Sequence, residues 1–146
     1  MTRATRFETD ASLILVTGTV SGPRGEAELR LAIDTGATET IIVPRVVEEL
    51  GYSARDAEVM THAYSALGSD DGYLLRVARF ATLGFAMADF PIHVFELADH
   101  EPFDGLVGLS FLRWFNYQVR SEEGRILVEN VIPLAGEPEP EPAQSR

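Results

Sequence analysis

Chemistry in this sequence concentrates in one short stretch. Leu31-Ala32-Ile33-Asp34-Thr35-Gly36-Ala37 sets a single carboxylate at the end of an apolar run and follows it with a glycine. Apolar neighbours would desolvate Asp34, and a lone carboxylate in such surroundings is costly unless it is hydrogen-bonded or used in proton transfer. Gly36 lets the backbone turn sharply enough to aim N–H groups back at that carboxylate. A plain Asp-Gly turn is the competing reading, since a given tripeptide arises by chance about once in a few thousand positions. Cysteine is absent, which removes thiol nucleophiles, disulfides and Cys-based metal sites. His62, His93 and His100 lack ligand spacing and read as surface or structural histidines, so no metal and no cofactor is expected.

The elements that must hold Asp34 are short and mostly extended. Residues 13–20 are rich in β-branched types, Ser21 to Gly25 punctuate, and Glu26 to Ile33 alternate polar with apolar, the pattern of a hairpin. Thr40 to Val43 reads as a short buried strand. Pro44 then opens a short helix that Gly51 stops. Residues 56–64 and 73–82 form two extended segments flanking a polar connection, Ser65 to Gly72, which suits an exposed hairpin tip. Phe85 to Leu97 gives another strand or pair, with Pro91 placing part of it at an edge or bulge. Ser110 could cap a helix carrying Phe111, Leu112, Trp114 and Phe115, and Tyr117 to Val119 with Arg125 to Val131 close a last hairpin. Close-spaced short strands with two short helices argue for an all-β barrel or sandwich.

At 146 residues the chain has room for one core. Its 45% apolar and 24% charged content is that of a folded soluble domain. The net charge of −11 would repel phosphate backbones and anionic lipid, so nucleic acid is not an expected partner. No apolar run is long enough for a membrane segment or a signal core, which suggests a soluble cytoplasmic protein, with an upstream anchor still possible. We divide the chain into an N-terminal extension (1–12), one domain (13–134) and a disordered Pro/Glu-rich tail (135–146).

About seventy residues after Asp34, Asp104-Gly105-Leu106-Val107-Gly108 precedes the second apolar helix. With both segments in view the chain resembles the retropepsin-like aspartic proteases, over roughly Leu13 to Val131. Asp34-Thr35-Gly36-Ala37-x-x-Thr40 matches the first signature and Leu106-Val107-Gly108 the second. The resemblance implies a closed acid-protease β-barrel with a flap hairpin and one or two short helices. It also implies a homodimer in which each subunit lends one Asp34 to a shared site. Two such carboxyls share a proton and titrate as a unit. The ionised one activates water, the protonated one polarises the scissile carbonyl of a peptide, and no covalent intermediate forms. Thr35 would reach across the two-fold axis, Gly36 would offer its amide to the catalytic oxygens, and Ala37 would lie against substrate.

In the same resemblance the hairpin from about Val59 to Val77 is the flap, with Gly68 to Gly72 at its tip and Tyr64 and Tyr73 beside it, each a candidate substrate contact or a packing residue. Ala37 lacks the hydroxyl that Ser or Thr would offer the carboxylate, which implies an optimum shifted toward mildly acidic or neutral pH. Two departures concern the dimer. Leu109-Ser110 stand where retroviral enzymes carry Arg and Asn or Asp, and the Pro-Glu tail suits an interleaved terminal sheet poorly, which implies either a weak dimer or one formed by strand 125–132 alone. A catalytically silent peptide-binding module on the same barrel is the alternative function, and a small-ligand barrel ranks below it. Asp104 reads as a turn residue.

Overall fold

The computed structural model describes residues 1–65, 68–98, 100–131 and 139–140. In chain order the strands are β1 (Thr2–Arg6), β2 (Leu15–Gly22), β3 (Gly25–Ile33), β4 (Ile41–Ile42), β5 (Val59–Ser65), β6 (Gly68–Thr82), β7 (Phe85–Val94), β8 (Gly105–Val107), β9 (Phe115–Arg120), β10 (Arg125–Asn130) and β11 (Glu139–Pro140). Two short helices, α1 (Pro44–Glu49) and α2 (Leu109–Leu112), and a 3-10 turn at Ala54–Asp56 interrupt them.

Alternation in β2 and β3 does what the sequence pattern demands. Val16 and Val20 of β2 and Leu29 and Leu31 of β3 point into the core while Thr17, Glu28 and Arg30 face water. From β3 the sheet runs through β2 to β6 on one side and through β8 and β4 to β7 on the other. Pairing of β6 with β7 then joins the two ends. The result is a closed barrel of the six strands β2, β3, β4, β6, β7 and β8, an arrangement that removes most of the free sheet edge. Its interior is aromatic. Phe80 stacks on Phe90 at 5.2 Å between centroids, and Phe111 meets Phe80, Phe90 and Phe115 at 5.5, 5.9 and 5.0 Å.

The structure redraws several local expectations. The segment 1–12 is more than an extension, because Thr2–Arg6 forms β1 and pairs antiparallel with β10. Arg3 lies over the Phe85 ring at 5.8 Å, and its stem fills the space where a Cβ at Gly84 would fall. Gly84 has φ +83°, so that position favours glycine twice over. β10 in turn pairs with β9 on its other side. Both edges of Arg125–Asn130 are therefore occupied within one chain, and this strand has no free edge with which to bind a second copy.

The expected polar tip of the long hairpin is also strand. Gly68 to Gly72 run along β6 opposite Ser65 to Thr61. Polar residues can extend a strand there because their pairing with β5, the outermost strand of the sheet, needs only backbone groups. The second helix is shorter than expected. It ends at Leu112, Phe115 opens β9, and its N-cap is Gly108 rather than Ser110. Phe85 to Val94 form one strand. Pro91 sits where only β6 adjoins it, between the stretches of β7 that pair with β11 and β4, as its missing N–H requires. The tail expectation falls, apart from Glu139–Pro140 beside Phe85–Ala86, outside the described residues. Among the described residues no helix is long and apolar enough to cross a membrane.

Phe111 touches three other rings and is fully buried. Truncation to Ala should therefore cost about 3–5 kcal/mol. Chemical denaturation should show it as a lower midpoint with an unchanged slope.

Candidate active site

Asp34 follows the last residue of β3 and is half-buried, while Thr35 and Gly36 are exposed. Its position is set from one side by β8, which runs parallel to β3 with Ile33 opposite Val107. Asp34 N–H donates to the Val107 carbonyl at 3.0 Å and Ala37 N–H to the Asp34 carbonyl at 3.2 Å. Gly36 N–H donates to Asp34 Oδ1 at 2.9 Å. The turn thus aims an amide at the carboxylate, as the Asp-Thr-Gly spacing predicts.

The two signatures, far apart in sequence, are stitched together residue by residue. Leu109 N–H donates to the Ala37 carbonyl at 2.8 Å and Ser110 N–H to the Thr38 carbonyl at 2.9 Å. In return Thr40 N–H donates to Ser110 Oγ at 3.0 Å, the Thr40 and Ser110 hydroxyls share a hydrogen bond of 2.9 Å, and Gly108 N–H donates to Thr40 Oγ1 at 3.3 Å. Thr40 is 0% and Ser110 5% exposed. Gly108 is required by this closeness, since a Cβ there would stand 2.2 Å from the Glu39 carbonyl oxygen and 2.7 Å from that of Ala37. Sequence reasoning missed Ser110 as a support of the loop. A hydroxyl just after a glycine reads locally as a cap, and no local pattern reveals a partner seventy positions away.

Other expected site residues separate into groups. Leu106 is half-buried, and Val107 and Gly108 are buried. All three brace the loop from beneath, Leu106 pairing with Ile41 of β4 and Ala32 of β3. Tyr73 is 8% exposed and belongs to the core, facing Met60 in the β5–β6 ladder. Of Tyr64 and Gly68 the backbone is described: they pair with Ser69 and Ser65. Asp104 does structural work. Its carboxylate accepts from Arg30 N–H at 3.0 Å and from Arg45 Nη2 at 2.9 Å, joining β3 to α1.

The histidines also scatter. His62 pairs with Asp71 across the hairpin, and His100 lies by Glu101. His93 on β7 hydrogen-bonds the Thr61 hydroxyl of β5, its backbone N–H donating to the Thr40 carbonyl at 2.8 Å. His93 thereby links the long hairpin to the loop that carries Asp34. Burial holds its imidazole below the ordinary histidine range, with the Glu39 carboxylate opposing the shift.

Two outcomes test these supports. Ser110→Ala leaves the buried Thr40 N–H without its acceptor and should cost about 1–3 kcal/mol on denaturation, whereas Ser110→Thr should retain more of that stability. For His93 the folded state favours the neutral ring, so its contribution is present above the unfolded-state value and is lost as pH falls through the lower folded-state value. Scanning thermal unfolding from neutral to mildly acidic pH should thus show a smaller loss of melting temperature in His93→Gln than in wild type.

Comparison with known proteins bears on the fold and the family. No curated protein sequence matches the chain significantly. The retropepsin-like aspartic protease from Rickettsia conorii superposes with a TM-score of 0.64 at 16% identity, covering 87% of this chain and 98% of that one. The retroviral protease-like domain of Ddi1 from Leishmania major superposes with a TM-score of 0.57, also at 16% identity, covering 84% of this chain and 92% of that one. Both likenesses concern the fold, a retropepsin-like barrel. The sequence profile of the family described as Aspartyl protease matches residues 16–111, a span that runs from β2 through the Asp34 loop to Phe111 in α2. On the strength of that match and of the paired signatures, this chain belongs to the aspartyl protease family.

Proposed function

We propose that the protein is an endopeptidase whose active site is completed by two copies of the chain, each supplying Asp34. The observation that carries this reading is the Asp34 loop itself. A half-buried carboxylate, held by the Gly36 amide at 2.9 Å, sits on a turn whose next residues, Thr35 and Gly36, are exposed. The family's chemistry uses two carboxyls, and this chain carries one Asp-Thr-Gly.

Brought together across a two-fold axis at about 3 Å, two Asp34 carboxyls cannot both ionise, so the pair holds one proton. The ionised member takes a proton from a water molecule as that water's oxygen attacks the scissile carbonyl carbon. The protonated member hands its proton to the carbonyl oxygen, giving a neutral tetrahedral diol. Collapse of the diol breaks the C–N bond as the protonated carboxyl passes its proton to the departing amine and the ionised one takes a proton from a diol hydroxyl, whose oxygen becomes the new carbonyl, so the pair is left with one proton as before. Gly36 N–H stays on the carboxylate throughout and fixes its plane. Thr35 reaches toward the second copy's loop and Ala37 lies along the substrate backbone. The β5–β6 hairpin serves as the flap, and its root is tied to the loop through Thr61, His93 and Thr40.

Asp34→Asn keeps the shape and the Gly36 contact but cannot accept a proton from water. Cleavage of a mixed peptide library should fall by at least about a thousandfold, with the melting temperature retained. Wild type that fails to cleave under any pH or salt would contradict the reading in favour of a silent binding module. Ala37→Ser adds a hydroxyl donor toward the carboxylates and should displace the pH–rate profile to lower pH, measured on the same peptide.

A further inference from the structure

Three strand ends meet where Asp34 emerges. β3 lies between β2 and β8, antiparallel to the first and parallel to the second. The residues just before β2 and just after β8 consequently flank the Asp34 loop. Both flanks carry a leucine. Leu13 is 39% exposed and Leu109 40% exposed. Leu13 is held there because Ile33 N–H donates to the carbonyl of its neighbour Ile14 at 2.9 Å, and Leu109 because its own N–H donates to the Ala37 carbonyl at 2.8 Å. The Asp34 loop at the end of β3 thus lies between the two leucines, one leading into β2 and the other following β8.

Single exposed leucines are common on soluble proteins and need no cause. Here they bracket a site that, on the reading above, is incomplete without a second copy. We infer that Leu13 and Leu109 form the apolar contact that holds the two copies together, Leu13 of each against Leu109 of the other. The inference rests on the proposed function, and symmetry supplies the pairing. A two-fold axis passing through the Asp34 loop carries one flank of the first copy onto the opposite flank of the second. β10 offers no competing contact, because β1 and β9 occupy both its edges. Each copy also carries a net charge of −11, so two copies repel, and leucine at position 109 replaces charge pairing with burial. Salt screens the repulsion and strengthens apolar burial, so this dimer should tighten as salt rises, whereas a dimer built on Arg–carboxylate pairs would loosen.

Sedimentation equilibrium of the full chain at about 0.05 M and about 0.5 M NaCl tests this directly. The proteins compared are wild type, Leu13→Arg, Leu109→Glu, the double variant carrying both changes, and Val119→Glu on the exposed β9 edge. Wild type should dimerise more tightly at the higher salt. Each single change at a leucine should raise the dimer dissociation constant roughly tenfold or more with melting temperature retained, and Val119→Glu should not. The double variant should recover most of the loss at low salt and lose it again at high salt, since an Arg then faces a Glu. Weakening by the single changes without that recovery would overturn the pairing. A peptide-cleaving dimer indifferent to both leucines, or weakened by Val119→Glu instead, would overturn the contact and leave the proposed function standing. A wild type that neither dimerises nor cleaves would overturn both.

Discussion

Everything at the site depends on a buried polar seam between residues 34–40 and 107–110. One loop must leave the barrel wall, present a carboxylate and return, and its backbone groups would be stranded without partners. The second segment provides them. Val107, Gly108, Leu109 and Ser110 each exchange at least one hydrogen bond with the stretch from Asp34 to Thr40, and the Thr40 and Ser110 hydroxyls close the seam where water does not reach. Breaking one contact there uncovers a buried donor or acceptor, which is more costly than the contact is favourable. The seam therefore behaves as a unit, and the aromatic cluster around Phe111 presses it from the core side.

Rigidity of this kind suits a site shared between chains. On the proposed reading the carboxylate stands about 3 Å from its counterpart, and such a pair tolerates little wandering of its loop. Asp34 gains definition from three directions: β3 behind it, β8 beside it and the Gly36 amide in front. In the long β5–β6 hairpin only β5 is an edge strand, β6 being built into the barrel, and the hairpin's connection to the loop passes through the half-buried His93. On the proposed reading this hairpin covers bound peptide above the fixed loop.

Much of this was legible in the sequence because the informative signals are local. β-Branched content marked β2, period-two alternation marked β3, Pro44 marked α1, and Asp34-Thr35-Gly36 marked the turn, each through its own sterics and hydrogen bonding. The separation of the two signatures was legible through resemblance, and the seam explains it physically. Features set by distant partners were not legible. Ser110 looked like a cap until its hydroxyl was seen on Thr40, and Tyr73 read equally as a substrate contact or a packing residue until its burial in the barrel decided for packing. Gly68 to Gly72 read as a loop because they are polar, yet their backbone pairs with Ser65 to Thr61, a partner strand that local polarity does not reveal. Thr2 to Arg6 gave no strand signal of their own, since β10 recruits them from more than a hundred residues away.

The central claim is that catalysis needs one Asp34 from each of two chains, and subunit mixing tests it most directly. Wild type held at fixed concentration is equilibrated with increasing Asp34→Asn chain, and peptide cleavage is followed. If the account holds, mixed dimers form and are inactive, so activity falls toward zero as the variant comes to outnumber wild type. Activity that stays constant across the titration, while mixed dimers are detected, would mean that a single chain suffices and would contradict it.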